Sequence, residues 1–171
     1  MALTTQPKRA QFVQTIGLSS APIVTGHERA SQTFVAGAFL IDDEGGRVTP
    51  STSPIDASSV AKRTIGMALA PAIGTTSAEL PIALAGPYTV FEGTLSDATA
   101  GTHTLAQADM WLVYPLTKGT THWYLDANAV SDTGGGLVVG LKDAIGTVDG
   151  RVYFIVTTPA RGGTNAGSAN W

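Results

Sequence analysis

The feature that most constrains the fold of this sequence is a strand–turn–strand pattern that occurs twice. The first copy spans residues 34–75 and the second spans residues 123–147. Each has an apolar strand, a turn rich in Asp and Gly, a second strand, and then the tetrapeptide Ala-Ile-Gly-Thr, at 72–75 and 144–147. The copies differ in length, but the recurrence predicts two halves that close one small β-domain.

No segment carries a long apolar period of 3.6 residues, so we do not expect helices to build the core. Short apolar runs alternate instead with Gly and Pro turns, which is typical of a small β-barrel or β-sandwich. We therefore predict a mainly β fold, a small barrel or sandwich of β-tulip-like form, with an extended N-terminal arm. The 171 residues are enough for one such domain.

Local patterns give the expected strands and turns. Runs rich in β-branched and aromatic residues predict strands at 33–41, 63–69, 80–84, 88–91, 110–114, 123–125, 137–141 and 151–157. Asp149-Gly150 is the strongest two-residue hairpin signal, and Thr104 is expected to cap a turn over residues 106–108. The glycines at 134–136 precede a strand rather than a helix, so we expect a flexible loop there and not a phosphate site.

Residues 1–31 differ from the rest of the chain in charge and pattern. Their side-chain charge is +2, whereas the remainder carries −5. They lack sustained alternation, yet they hold too many branched and aromatic residues for a disordered tail. We predict an extended arm over 1–31, a β-domain over 32–158 and a flexible tail over 159–171. The arm would lie on its own domain or on a neighbour, and the alternative is a first strand of the barrel.

Composition excludes several classes of protein. The chain has no Cys, which excludes disulfides, Cys-ligated zinc and thiol catalysis. Charged residues make up 13% of the chain and the net charge is −3, which argues against nucleic acid as a partner. No apolar run approaches the ~18 residues of a membrane-spanning helix, and the N-terminus is a poor signal peptide. So few charges are typical either of a protein that meets other protein surfaces or of a compact β-domain with many small turns.

The polar residues do not form a recognisable catalytic pattern. The adjacent acids Asp42, Asp43 and Glu44 favour a solvated turn, because calcium loops space their carboxylates and add a distant bidentate Glu. His27, His103 and His122 are not paired at metal-ligand spacing. We therefore expect no catalytic residue, no cofactor and no metal, and a Ser-His-Asp set assembled in space is the least favoured alternative.

Four aromatic residues surround one expected hairpin: Trp111, Tyr114, Trp123 and Tyr124. Stacked aromatic rings can bind sugars, but they also form ordinary sheet cores and cross-strand pairs. The core is the favoured interpretation.

The order of the segments resembles the capsid decoration proteins of tailed bacteriophages, also called cement or auxiliary head proteins. The matching segments are "GAFLIDDEGGRVTP", "RTIGMALAPA", "TLAQADMWLVYP" with "THWYLDANAV", and "GGGLVVGLKDAIGTVDGRVYFIV". The resemblance covers residues 33–158, and the arm over 1–31 is a departure from it. It implies a non-enzymatic virion protein, made in the cytoplasm of the bacterial host. Such a protein binds the major capsid protein on the outer shell, and it is a homo-oligomer, usually a trimer.

On this interpretation, the arm and the tail carry the contacts with the coat. Lys8 and Arg9 would meet an acidic coat surface, and Phe12 and Ile16 would fill an apolar groove. Trp171 would be a further anchor, because Trp is enriched at binding hot spots. The alternative for Trp171 is packing on its own domain.

Two other functions stay open at this point. One is a glycan-binding adhesion module of the head or tail that uses Trp111 and Trp123. The other is a hydrolase whose triad is assembled from distant parts of the chain.

Overall fold

The computed structural model describes residues 11–15, 22–43, 45–51, 64–98, 101–120, 122–128, 130 and 134–157. These residues form twelve strands and one short 3-10 helix. The predicted fold class is confirmed, because the chain is mainly β and has one nearly closed, barrel-like sheet and a second sheet.

The small sheet contains five strands that are consecutive in the chain. They are β2 (Ile23–His27), β3 (Phe39–Asp42), β4 (Val48–Pro50), β5 (Thr64–Ala68) and β6 (Glu79–Leu84). Their order is β2-β6-β5-β3-β4, and every neighbouring pair is antiparallel. The two ends of the sheet meet where Glu28 bridges Val48 and the Arg29 N–H donates to the Val48 carbonyl at 3.1 Å. This contact brings the five strands close to a complete barrel.

The large sheet contains the other seven strands. They are β1 (Gln11–Thr15), β7 (Thr89–Ser96), β8 (Val113–Tyr114), β9 (Leu116–Lys118), β10 (Trp123–Asp126), β11 (Gly136–Leu141) and β12 (Arg151–Val156). Their order is β8-β11-β12-β7-β10-β9, with β1 paired to β7. The 3-10 helix, Gln107–Asp109, lies between β7 and β8 in the chain.

The strand β7 is the centre of the large sheet, and all eight of its residues are buried. One of its edges pairs with β12 in antiparallel fashion. The other edge is shared, because β1 pairs with residues 89–92 while β10 runs parallel to residues 95–96. Three segments far apart in sequence therefore meet on one strand.

The two sheets pack against each other through a common core. Alternate residues of β3, β5 and β6 face opposite sides of the small sheet, as the period of a strand requires. One set packs against the large sheet: Phe39, Met67 and Ala83. The other set fills the inside of the barrel: Leu40, Ala68 and Ile82. The Phe39 ring lies 5.5 Å from Phe91 and 5.7 Å from Trp123, both in edge-to-face geometry.

The described part of the predicted arm lies on its own domain. Its strand β1 pairs with β7 and its strand β2 pairs with β6, so both sheets include arm residues. The backbone of Phe12 is opposite Phe91. The other predicted contact residues, Lys8, Arg9, Ile16 and Trp171, fall outside the described residues, as does the tail over 159–171.

Some local predictions were wrong because tertiary contacts override local turn chemistry. The first predicted strand begins only at Phe39, since the chain before it turns at Gly37, where φ is +90°. Asp149-Gly150 is not a two-residue hairpin, because residues 142–150 all lie between β11 and β12. Asp149 is paired instead with His103, whose N–H donates to Oδ1 of Asp149 at 2.9 Å.

The glycines at 134–136 are packed rather than loose, contrary to prediction. Gly135 is buried at a φ of +146°, and a Cβ there would lie 2.1 Å from the carbonyl oxygen of Tyr114. A Cβ on Gly136 would lie 2.4 Å from a methyl group of Leu125. The glycines therefore allow the start of β11 to approach β8 and the core.

The two strand–turn–strand copies do not fold alike. In the first copy β3 and β5 are paired neighbours. In the second copy β10 and β11 belong to one sheet, but β12 and β7 lie between them. The sequence recurrence therefore does not correspond to two equivalent halves of the domain.

Candidate functional site: the Trp111 turn

The structure separates the four aromatic residues that the sequence placed together. Tyr114, Trp123 and Tyr124 are buried, so the core interpretation is confirmed for them. Trp111 is not in the core, because 66% of its surface is exposed. Of these four side chains, only that of Trp111 is available to a partner.

Trp111 occupies an unusual backbone conformation between the 3-10 helix and β8. Its φ is +68°, in the left-handed region that a bulky side chain rarely adopts. Its N–H donates to the carbonyl of Val138 at 2.9 Å, and the Val138 N–H donates to the carbonyl of Leu112 at 3.0 Å. A residue held in such a conformation costs about 1–3 kcal/mol, and strain of this kind clusters at functional sites.

The carboxylate of Asp109 holds the chain on both sides of Trp111. It accepts the Ala106 N–H at 2.7 Å and the Tyr114 hydroxyl at 2.9 Å, and it lies 3.1 Å from Nε2 of His103. Asp109 is buried. The predicted cap at Thr104 is wrong, because the helix begins at Gln107 with Ala106 at its N-cap position, and Asp109 accepts the Ala106 N–H. One buried acceptor therefore ties together the residues on both sides of Trp111.

The chemistry of this cluster favours positioning over catalysis. Burial raises the pKa of the Tyr114 phenol, and the hydrogen bond and negative charge of Asp109 raise it further. The hydroxyl beside the His103–Asp109 pair is therefore a neutral donor at ordinary pH. A phenol that already donates to the carboxylate is a poor nucleophile, because nucleophilic attack needs a depressed pKa or an adjacent free base.

A second buried carboxylate organises the outer face of the large sheet. Glu92 of β7 accepts hydrogen bonds from Lys142, from Arg151 at 3.2 Å and from Gln11 at 3.0 Å. Arg151 also donates to Asp143 at 2.7 Å. Burial raises the pKa of Glu92, but the hydrogen bond from Lys142, that from Gln11 and the two positive charges outweigh it, so the pKa lies below its usual range. This network links β1 to β7, β12 and the loop after β11.

Of the adjacent acids, Asp42 ends β3 and Asp43 lies in the connection between β3 and β4. Oδ1 of Asp43 accepts the Gly45 N–H at 2.9 Å and the Arg47 N–H at 3.0 Å, and the bond from Gly45 is the main reason that the pKa of Asp43 is lowered. Among the residues that the structure describes, no group of three or more His, Asp or Glu side chains is placed to hold a metal ion. The interpretation as a turn is confirmed for Asp43.

Comparisons with protein-family models, with curated proteins and with solved structures found nothing that matches this chain. Across the described ranges, no helix is long and apolar enough to cross a membrane.

Sequence reasoning missed the role of Asp109 and the exposure of Trp111. A signal for Asp109 was present, since an acid at the third position of a short helix commonly accepts the N–H of the capping residue. The exposure of Trp111 had no local signal, because nothing in its sequence surroundings predicts a positive φ at a tryptophan.

Proposed function

We propose that this chain is a non-enzymatic structural protein of a virion that binds the outer surface of a phage capsid and stabilises the mature shell. Its sequence resemblance to capsid decoration proteins supports this function. The structural observation that carries it is the exposed Trp111 on a turn that a buried carboxylate holds rigid.

A tryptophan whose backbone is held by hydrogen bonds suits a protein that binds the surface of a partner. An anchor that is already ordered loses little conformational entropy when it docks, and this improves affinity. Trp is also among the residues that dominate binding energy at protein interfaces.

Stabilisation of a shell then follows from mass action. A ligand that binds only the mature lattice lowers the free energy of that lattice and of no other state. A symmetric homo-oligomer, in our proposal a trimer, makes several equivalent contacts at once and so gains avidity. The partner is the major capsid protein. Further proposed contacts are Lys8, Arg9, Phe12, Ile16 and Trp171.

The test mixes the purified chain with empty, expanded shells of a phage major capsid protein, and counts bound copies after sedimentation. We expect saturable coating by the wild type and at least tenfold weaker binding by Trp111→Ala, since a hot-spot residue contributes about 2 kcal/mol or more. Tyr88→Ala is the matched control, because Tyr88 is also an exposed aromatic residue in a turn. A wild-type chain that does not coat the shells contradicts the proposal.

The arm is tested separately. Removal of residues 1–10 deletes Lys8 and Arg9 but keeps β1, whose Gln11 bonds to Glu92. We expect this truncated chain to bind shells more weakly, with a smaller dependence on salt, because two cations are lost. Full occupancy by the truncated chain would contradict the assignment of coat contacts to these two residues.

The exposure of Trp111 also favours a second candidate, a glycan-binding adhesion module. Trp123 is buried, so of the two tryptophans assigned to this function only Trp111 is exposed for a sugar ring to stack on. A glycan-array signal that disappears in Trp111→Ala would support this function. Tight binding to shells without any glycan signal would exclude it.

A further inference from the structure

Strand β1 is attached to the domain through one strand. Its residues 11–15 pair with residues 89–92 of β7, and among the strands that the structure describes β7 is its only hydrogen-bonded neighbour. The ladder is irregular, because the register shifts between Phe12 and Gln14 and leaves Val13 without an opposite residue. A shift of this kind disrupts the ladder locally, so the attachment of β1 is weaker than that of a regular strand.

The side chains of β1 that the structure describes add little burial to this pairing. Gln11 is exposed, and 36% of the surface of Val13 is exposed. An element with few buried apolar contacts opens at a low free energy, well before the whole domain unfolds. We therefore expect β1 to leave the sheet as a unit.

Strand β7 is held in place by contacts that do not include β1. Val90 and Phe91 pair on the opposite edge of β7 with Ile155 and Phe154 of β12. Phe91 is fully buried, and its ring lies 5.8 Å from that of Phe154 and 5.5 Å from that of Phe39. These contacts remain when β1 leaves, so the edge that β1 covers keeps its shape.

The buried carboxylate of Glu92 also keeps partners when β1 leaves. Gln11 donates to it from β1 at 3.0 Å, whereas Arg151 donates at 3.2 Å and Lys142 donates from the loop after β11. The departure of β1 thus removes one neutral donor and leaves both cations in place. Loss of the only partner of a buried charge is strongly destabilising, and the two cations prevent that loss here.

The edge of β7 that β1 covers is a site for one particular strand. Without β1, the backbone groups along residues 89–92 lack their partners, and an unpaired edge is a template for another strand. The sequence that fits this edge is that of β1 itself, with Phe12 opposite Phe91 and Gln11 opposite Glu92. Every copy of the chain carries this sequence, so a second copy supplies the matching strand.

We propose that β1 exchanges between copies of this chain, so that β1 of one copy pairs with β7 of another. The exchanged form makes the same strand contacts as the closed form, and for this reason exchange of an identical element is an easy route to oligomers. β1 ends at Thr15 and β2 begins at Ile23. The seven residues between them span at most about 25 Å, so copies that exchange β1 are held close together.

Single cysteines test the exchange directly, because the chain has no Cys of its own. The backbones of Thr15 and Thr89 are opposite each other. The Cβ atoms of such a pair lie about 4.5–5.5 Å apart, close to the separation in a disulfide. A Thr15→Cys chain is mixed with a Thr89→Cys chain in concentrated solution under oxidising conditions. Neither chain can form an internal disulfide, so a mixed disulfide reports β1 of one copy on β7 of the other.

We expect the mixed disulfide to accumulate and to be identified by peptide mass mapping. The matched control mixes Thr15→Cys with Thr25→Cys, because Thr25 is an exposed threonine of β2 whereas Thr89 is 2% exposed. Random collisions favour the exposed position, so a mixed disulfide that forms only with Thr89→Cys is due to exchange. Equal yields in the two mixtures, or no mixed disulfide in either, overturn the proposal.

A second measurement does not depend on the folding of the single variants. Light scattering of the concentrated wild type should show the mass of two or more chains. The double variant Thr15→Cys/Thr89→Cys, oxidised at high dilution, holds β1 on its own β7 and should have the mass of one chain until it is reduced. A wild type with the mass of one chain at every concentration contradicts the proposal, and so does an oxidised double variant as heavy as the wild type. Neither measurement involves a shell, so the proposed function keeps its own separate test.

Discussion

The hydroxyl of Tyr114 donates a 2.9 Å hydrogen bond to Oδ1 of Asp109, and this bond joins β8 to the 3-10 helix on either side of Trp111. The same carboxylate accepts the Ala106 N–H. Asp109 is therefore the common partner of groups that approach the turn from different elements, and the order of the turn depends on it.

Loss of this acceptor should destabilise the protein more than loss of one donor. Asp109→Ala leaves the Ala106 N–H and the Tyr114 hydroxyl without their acceptor, so we expect a loss of about 2–4 kcal/mol in the free energy of unfolding. Tyr114→Phe removes one donor and should cost about 1–2 kcal/mol. Urea denaturation of both variants and of the double variant checks this. Strict additivity would show that the two residues are not coupled.

Stability should fall at alkaline pH through Tyr114. Its pKa is raised in the folded state above the ordinary value of 10.0, so the folded protein retains a proton that the unfolded chain releases. This contribution is complete below the unfolded pKa and is lost as pH rises toward the folded pKa. Urea denaturation between about pH 9 and pH 11 should show a steeper fall in the wild type than in Tyr114→Phe. Equal slopes would contradict the prediction.

Glu92 should give the opposite dependence at acid pH. Its pKa is lowered in the folded state from the ordinary value of 4.5, so its contribution is complete above that value and is lost as pH falls through the folded pKa. Glu92→Gln should flatten the decline in unfolding free energy below about pH 4.5. Glu79→Gln is the control, because Glu79 is exposed at the start of β6. A decline that is unchanged in Glu92→Gln would assign the acid sensitivity to other groups.

The strain at Trp111 can be separated from its side chain. Glycine adopts a φ of +68° without the steric cost that alanine and tryptophan share, so Trp111→Gly should be more stable than Trp111→Ala by about 1 kcal/mol. Both variants should lose binding to shells to the same extent. Equal unfolding midpoints for the two variants would show that the backbone there is unstrained.

Two glycines with positive φ should respond differently to alanine. A Cβ on Gly135 would meet the Tyr114 carbonyl oxygen at 2.1 Å, whereas a Cβ on Gly46 has nothing within 4 Å. Gly135→Ala should therefore cost more than about 3 kcal/mol or prevent folding, and Gly46→Ala about 1 kcal/mol. Thermal and urea denaturation measure both. Comparable losses would mean that β11 can move away from β8.

The sequence predicted what depends on local pattern. Branched and aromatic residues predicted the strand that contains Phe39 and Leu40, and the Asp43 turn followed from short-range hydrogen bonding. The extent of β7 was not predictable, because the buried Glu92 has partners far away in the sequence. Lys142, Arg151 and Gln11 are 50, 59 and 81 positions from it. Such partners become visible only once the sheets are assembled.

In the candidate site, too, contacts distant in sequence decide which aromatic side chains are buried. Trp123 is buried because the ring of Phe39 packs against it from the other sheet. Trp111 is exposed on a turn where its φ is +68°, two residues after the acceptor Asp109. Trp111 and Trp123 are the same residue type, so the sequence alone did not distinguish the exposed one from the buried one.

The pairing of β1 with β7 has a consequence for the order in which the protein folds during translation. Every strand of the small sheet lies between residues 23 and 84, so that sheet can close while the rest is still being translated. Strand β1 can pair with β7 only after β7 has been translated, since Gln11 and Glu92 are 81 positions apart. Until β7 has left the ribosome, β1 has no strand with which to pair. During this interval β1 is most exposed to chaperones and to mispairing with another copy of the chain.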